Sequence, residues 1–276
     1  MQSQQPRKQS VLGVGVSPVS YGDVLRICRQ WVEQRRAWKS CTLSAAPPEA
    51  RYVCVVSVHG IMTAVFDRPY RRYLNHADMA TSDGMPVVWA LRSFGFRQQK
   101  RVYGPNLMLA LLGQASRLRH RVFFYGGTEE ILGRLVECLR NRFPSLVVVG
   151  THAPPFRPLS AEEDAKVTQQ IADSDADLVF CGIGTPKQDQ WMFEHKARLP
   201  GVVMLGVGAA FNFHAGEVKQ SPRWMQSAGL EWLFRLAVEP RRLWKRYLLV
   251  TPMFLPLWAL QKLGILKFPL GSESRS

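Results

Sequence analysis

The chain lacks an apolar run able to cross a bilayer. Its nearest candidate, Tyr247 to Gln261, carries no charge but is broken by Pro252 and Pro256 and falls short of the roughly 20 residues a spanning helix needs. The opening run Val11 to Val16 is too short and too glycine-broken for a secretory signal, so a cytoplasmic location is expected. Acidic residues are scarce, 21 against 36 Lys and Arg, and the net charge of +15 asks for an anionic partner: nucleic acid, a lipid surface or a phosphorylated substrate. The five cysteines are odd in number and contain no CxxC pair, which reads as reduced thiols, mostly in the core. No GxGxxG dinucleotide fingerprint is present, and no carboxylate cluster resembles a dedicated Mg²⁺ site. Disorder is not the default, because 46% of the 276 residues are hydrophobic and can build a full core.

What is there alternates between strand and helix. Val11 to Val16 reads as a first strand, and Ser20 with Asp23 as a capping box opening a helix. Arg51–Val58, Ala77–Thr81, Arg121–Tyr125, Leu146–Gly150, Asp177–Cys181 and Gly201–Gly208 read as further strands. Helical patterns at Gly60–Phe66, Met85–Phe94, Thr128–Phe143 and Ser160–Asp173 lie between them. Apolar, non-alternating strands separated by helices predict an α/β fold: a Rossmann-like parallel sheet covered by helices on both faces. The most informative segment is Gly182 to Trp191, where an apolar strand runs through glycines into a helix start bearing Thr185, Lys187, Gln188 and Asp189. Such a turn lets backbone approach a ligand and offers helix N–H groups to an anion, with Pro186 suited to the first helical turn.

From about Gly216 the character changes. Between Lys219 and Tyr247 seven Lys and Arg face two acids, Glu231 and Glu239, interleaved with Trp224, Trp232, Phe234, Trp244 and Tyr247. Cations beside aromatic and aliphatic side chains suit a segment lying on an anionic lipid surface. Residues 1–10 then read as a flexible leader, 11–215 as the core, 216–265 as a basic, helical, membrane-proximal appendage, and 266–276 as a flexible tail.

Five ordered segments carry a family resemblance: Asn75 to Arg92, Arg101 to Leu107, Phe124 to Gly127, Gly182 to Trp191, and Gly206 to Gly216 running into Gly229 to Tyr247. Together they resemble the bacterial WecG/TagA/CpsF glycosyltransferases over roughly Val11 to Leu255. That resemblance implies an inverting, metal-independent hexosyltransferase of surface or exopolysaccharide biosynthesis, working at the inner face of the cell membrane. It needs no cofactor: a UDP-sugar is the donor and a polyprenyl-diphosphate-linked sugar the acceptor. N-acetylmannosamine, its uronic acid and glucose are the donor sugars it leaves open, and it leaves homo-oligomerisation open too.

The same resemblance makes Asp83 the base that takes the acceptor hydroxyl proton, a role worth about 10²- to 10⁴-fold. It makes Arg235, Arg242 and Arg246 the clamp for the departing diphosphate, Arg242 and Arg246 standing i,i+4 with forks suited to phosphate oxygens. Gln188 and Asp189 match the family's Gln-Glu pair on the nucleotide-side loop, and Gly126 and Gly127 would let backbone approach donor or acceptor. Several positions depart from the family pattern. Val55-Val-Ser57 replaces a Thr-x-Asn motif, with Ser57 and His59 as substitutes, and Asn106 and Asn212 stand where Asp is frequent. Two other classes compete on composition and fold alone: a nucleotide-dependent oxidoreductase, and a non-enzymatic nucleic-acid-binding protein. The first lacks its fingerprint; the second lacks a recognisable nucleic-acid module, so nucleic acid is not the expected partner.

Overall fold

In the computed structural model the described residues are 6–41, 46–218, 220–222, 224–225 and 229–270, and the side chains of Arg242, Lys245, Arg246 and Leu249 lie outside the description. Six strands form one all-parallel sheet: β3 (Arg51–Val56), β4 (Met79–Ser82), β5 (Arg121–Tyr125), β6 (Val147–His152), β7 (Leu178–Cys181) and β8 (Val203–Gly206), in the order β4-β3-β8-β7-β5-β6. Alternate residues of each strand point to opposite faces, and both faces are buried. Tyr52, Cys54, Phe123, Tyr125, Val179 and Met204 join one core cluster, whereas Val53, Phe124, Phe180, Val203 and Leu205 join the other.

The first cluster is closed by α2 (Val58–Phe66), α3 (Arg68–His76), α4 (Met85–Ser93), α7 (Ala161–Asp173) and α8 (Lys187–Glu194). The second is closed by α1 (Tyr21–Ser40), α5 (Gly104–Leu118), α6 (Glu129–Arg142) and α9 (Ala210–His214). The Rossmann-like expectation is therefore met, helices covering both faces. The capping box opening α1 is also present: Ser20 accepts from the Asp23 N–H, and the Asp23 carboxylate accepts from the Ser20 N–H.

The opening segment departs from expectation. It is not a strand of the parallel sheet but a hairpin, β1 (Gln9–Val11) paired antiparallel with β2 (Val14–Val16). Leu12 and Gly13, with φ of 51° and 84°, form the two-residue turn that reverses the chain. Asn75 holds it, its Oδ1 accepting from the Gly15 N–H at 2.8 Å and its Nδ2 donating to the Gly13 carbonyl at 2.9 Å.

The C-terminal part is helical: α10 (Glu231–Val238), α11 (Pro240–Trp244), a π-helical stretch Lys245–Val250, and α12 (Phe254–Lys262). It returns to the hairpin, where Gln261 accepts from the Leu12 N–H at 2.9 Å and donates to the Ser10 carbonyl at 3.1 Å. Phe254 at its start is wholly buried in the first core cluster. Among the described residues no helix is long and apolar enough to cross a membrane.

Candidate active site

A cavity of about 630 Å³ opens at the C-terminal ends of β3, β4, β7 and β8, within the size range of small-molecule sites. This is where open α/β sheets hold ligands. The core supplies Ser57, His59, Asp83, Arg101, Thr185, Gln188 and the Gly206–Ala210 turn; the C-terminal helices supply Glu231, Trp232, Arg235 and Tyr247 as the facing wall.

Asp83 follows β4 directly. Its N–H donates to the Val56 carbonyl at 2.8 Å, continuing the ladder, and Gly84 then turns the chain into α4 with φ of 99°. Beside it runs the Gln99–Tyr103 loop, tied to the strand by the Val102 N–H donating to the Ser82 carbonyl at 2.9 Å. That loop places Arg101 against Asp83: Nε donates to Oδ1 at 2.9 Å, and Nη2 lies 2.8 Å from the same oxygen. Nη2 also lies 2.7 Å from Oε2 of Glu231, in the first turn of α10. Burial opposes the arginine's charge, but the Asp83 and Glu231 carboxylates outweigh it and push the guanidinium pKa up.

On the opposite side, Gln188 joins two loops. Its Oε1 accepts from the Gly208 N–H at 2.9 Å, and its amide lies over Gly206, where a Cβ would come within 2.8 Å of Nε2. Ser57 caps α2 by accepting from the Gly60 N–H at 3.4 Å.

The chain matches the model of the glycosyl transferase WecG/TagA/CpsF family over residues 9–267. It is also 31% identical over 185 residues to an N-acetylglucosaminyldiphosphoundecaprenol N-acetyl-beta-D-mannosaminyltransferase of Bacillus subtilis (strain 168), covering 67% of this chain and 70% of the relative. The enzyme of the same description from Bacillus spizizenii (strain ATCC 23059 / NRRL B-14472 / W23) is 31% identical over 179 residues, covering 65% and 67%. This chain belongs to the WecG/TagA/CpsF glycosyltransferases. Membership sets aside the oxidoreductase and the non-enzymatic nucleic-acid-binding readings.

Of the residues singled out in the sequence of this glycosyltransferase, Asp83, Ser57, His59, Thr185, Gln188 and Arg235 meet around the cavity. Others lie elsewhere. Asp189 is 2% exposed beneath the loop, where Oδ2 accepts from the Tyr70 hydroxyl at 2.8 Å; burial pushes its carboxyl up to about 6. Lys187 is exposed at the start of α8, and Asn106 is exposed in the first turn of α5. Asn212 sits on α9, its carbonyl accepting from the Glu217 N–H at 2.9 Å. The side chains of Arg242 and Arg246 fall outside the described atoms.

The geometry adds to one reading and changes another. A Cβ at Gly126 would come within 2.6 Å of the Gly182 backbone, and one at Gly182 within 2.5 Å of the Phe211 ring. Gly126 therefore also allows the close approach of two strand ends. Gly127 is less confined, a Cβ there meeting nothing closer than the Ile131 side chain at 3.3 Å. At α8, Pro186 occupies the N-cap, one position before the first turn. The N–H groups of Gln188, Asp189 and Gln190 donate to the carbonyls of Gly184 and Pro186, so they are taken up within the loop instead of being offered to an anion.

Sequence reasoning missed Arg101, Tyr103 and Glu231 as site residues. Arg101 and Tyr103 stand in one of the recognised segments and Glu231 in another, but no periodicity or spacing separates them from other loop and helix residues.

Proposed function

We propose that this chain transfers a hexose or N-acetylhexosamine-type sugar from a UDP donor to a polyprenyl-diphosphate-linked sugar, with inversion and without a metal. The observation that carries this is the shared cavity: a carboxylate at the end of β4 faces the same space as Arg235 on α10. Asp83 takes the proton from the acceptor hydroxyl, whose oxygen attacks the anomeric carbon. The bond from that carbon to the UDP oxygen breaks, and UDP leaves with the electron pair. Arg235 meets the charge that develops on the diphosphate, where fixed cations contribute most to rate. Family membership supports the same assignment.

N-acetylmannosamine is the first donor to test, because both Bacillus relatives are named for it; its uronic acid and glucose follow. The acceptor places the reaction at the inner face of the cell membrane. In the C-terminal part, half or more of the surface of Trp224, Val238 and Leu248 is exposed, which supports contact with a lipid surface.

UDP release is to be measured from a panel of UDP-sugars, with and without a polyprenyl-diphosphate-linked N-acetylglucosamine, in EDTA and in Mg²⁺. Acceptor-dependent release from one donor, unchanged by EDTA, is expected. Release from no donor by folded protein on vesicles refutes the proposal.

A further inference from the structure

We propose that Glu231 is a positioning residue for Asp83: by sharing the Nη2 of Arg101 with it, Glu231 ties the docking of α10 to the placement of the catalytic carboxylate. The inference rests on Asp83 being the base. Both Arg101 contacts to Asp83 fall on Oδ1, so the guanidinium grips one edge of the carboxylate and leaves Oδ2 outside the pair. Its Nη2 is shared with Glu231 at 2.7 Å. The side chains of Arg101, Asp83 and Glu231 are 16%, 19% and 12% exposed, so solvent screens the trio far less than a surface pair. Tyr103 provides the floor, its ring centre 4.3 Å from the Arg101 guanidinium carbon. A guanidinium whose Nη2 lies between two carboxylates is fixed relative to both; with one partner it moves with that partner.

The second carboxylate comes from a different part of the chain. Gly229, with φ of 74°, turns the backbone into α10, and a Cβ there would meet Met85 Cγ at 3.2 Å. The start of α10 therefore rests on the first residue of α4, two positions after Asp83. Arg235, four residues beyond Glu231, lies on the same helix face and lines the cavity. One docking event delivers Arg235 to the diphosphate and Glu231 to Arg101. A chain with α10 displaced has Asp83 held by half a clamp, which limits turnover until the C-terminal wall is in place.

The test compares Glu231→Gln, Glu231→Asp and Asp83→Asn in the full-length enzyme, with UDP-N-acetylmannosamine and a polyprenyl-diphosphate-linked N-acetylglucosamine, or with whichever donor the panel identifies. Losing one of the two ion-pair partners of a largely buried arginine predicts that Glu231→Gln lowers kcat by about tenfold or more while KM for the donor moves less than about twofold. Glu231→Asp, which keeps the charge, restores most of kcat, and melting temperatures stay level. Wild-type kcat in Glu231→Gln, a change confined to KM, or equal losses in both Glu231 variants overturn the inference, provided Asp83→Asn is inactive. An active Asp83→Asn enzyme instead removes the base assignment, so the two failures are told apart.

Discussion

Replacing Asp189 with Asn isolates one buried charge. Burial raises this carboxyl from its ordinary 3.8 to about 6, against hydrogen bonds from Tyr70, Cys54, Thr185 and Gln188 that favour the anion. Between those values the folded chain holds a proton that the unfolded chain has released. Folding is then coupled to proton uptake, and the group's contribution to stability is full below about pH 4 and is lost as pH rises through about 6. A shift of about 2 units at about 1.36 kcal/mol each makes that loss roughly 3 kcal/mol. Asn cannot ionise, and its Oδ1 can still accept from the Tyr70 hydroxyl. Between about pH 4 and pH 7 the variant should therefore gain roughly 3 kcal/mol on the wild type, whatever constant offset the substitution adds. Urea unfolding followed by tryptophan fluorescence reads it, Trp191 being stacked on Tyr125 at 4.4 Å in the same region. Parallel stability curves for the two proteins would refute the buried-charge account, and a wild type gaining on the variant as pH rises would mean the anion is the favoured form.

Asp83→Asn should lower kcat by about two orders of magnitude or more, with UDP affinity by titration calorimetry unchanged; wild-type turnover removes it as base. Gly126→Ala should destabilise by roughly 2–4 kcal/mol, since its Cβ has no room beside Gly182 and φ of 130° suits glycine. A fully stable Gly126→Ala protein that loses only substrate affinity would make ligand approach its main role. Phe254→Ala should cost about 3–5 kcal/mol in urea unfolding although it belongs to the C-terminal helices, because its ring is wholly buried in the core. No loss would show those helices to be an independent unit. Arg235→Gln should weaken UDP binding and lower turnover together, and unchanged UDP affinity and rate would exclude it from the diphosphate clamp.

Much of the fold was legible because parallel strands buried on both faces are written as apolar runs. Val122 to Tyr125 and Leu178 to Cys181 could hardly be anything else. Besides the five-residue Ala210–His214 helix, two helices escaped notice for local reasons. The Arg68–His76 helix sets its short apolar stripe, Tyr70, Tyr73 and Leu74, among three arginines and a proline, and the Gly104–Leu118 helix opens on Gly104-Pro105, which reads as a turn. The hairpin was hidden because Val11 to Val16 has the composition of a strand, and only the positive φ of Leu12 and Gly13 reveals the reversal.

The sequence by itself determined the sheet class, the capping box of α1 and the family, since these depend on short-range pattern and on ordered motifs. Tertiary structure decided which polar residues share one space. Neighbours in sequence were separated, Gln188 at the cavity and Asp189 beneath it, because successive residues on a helix point about 100° apart. Distant ones were joined: Asp83, Arg101 and Glu231 come from a strand end, a loop and a C-terminal helix. An ion-pair network needs atoms within about 4 Å in space and leaves no period in the chain, so only the folded structure could assemble it.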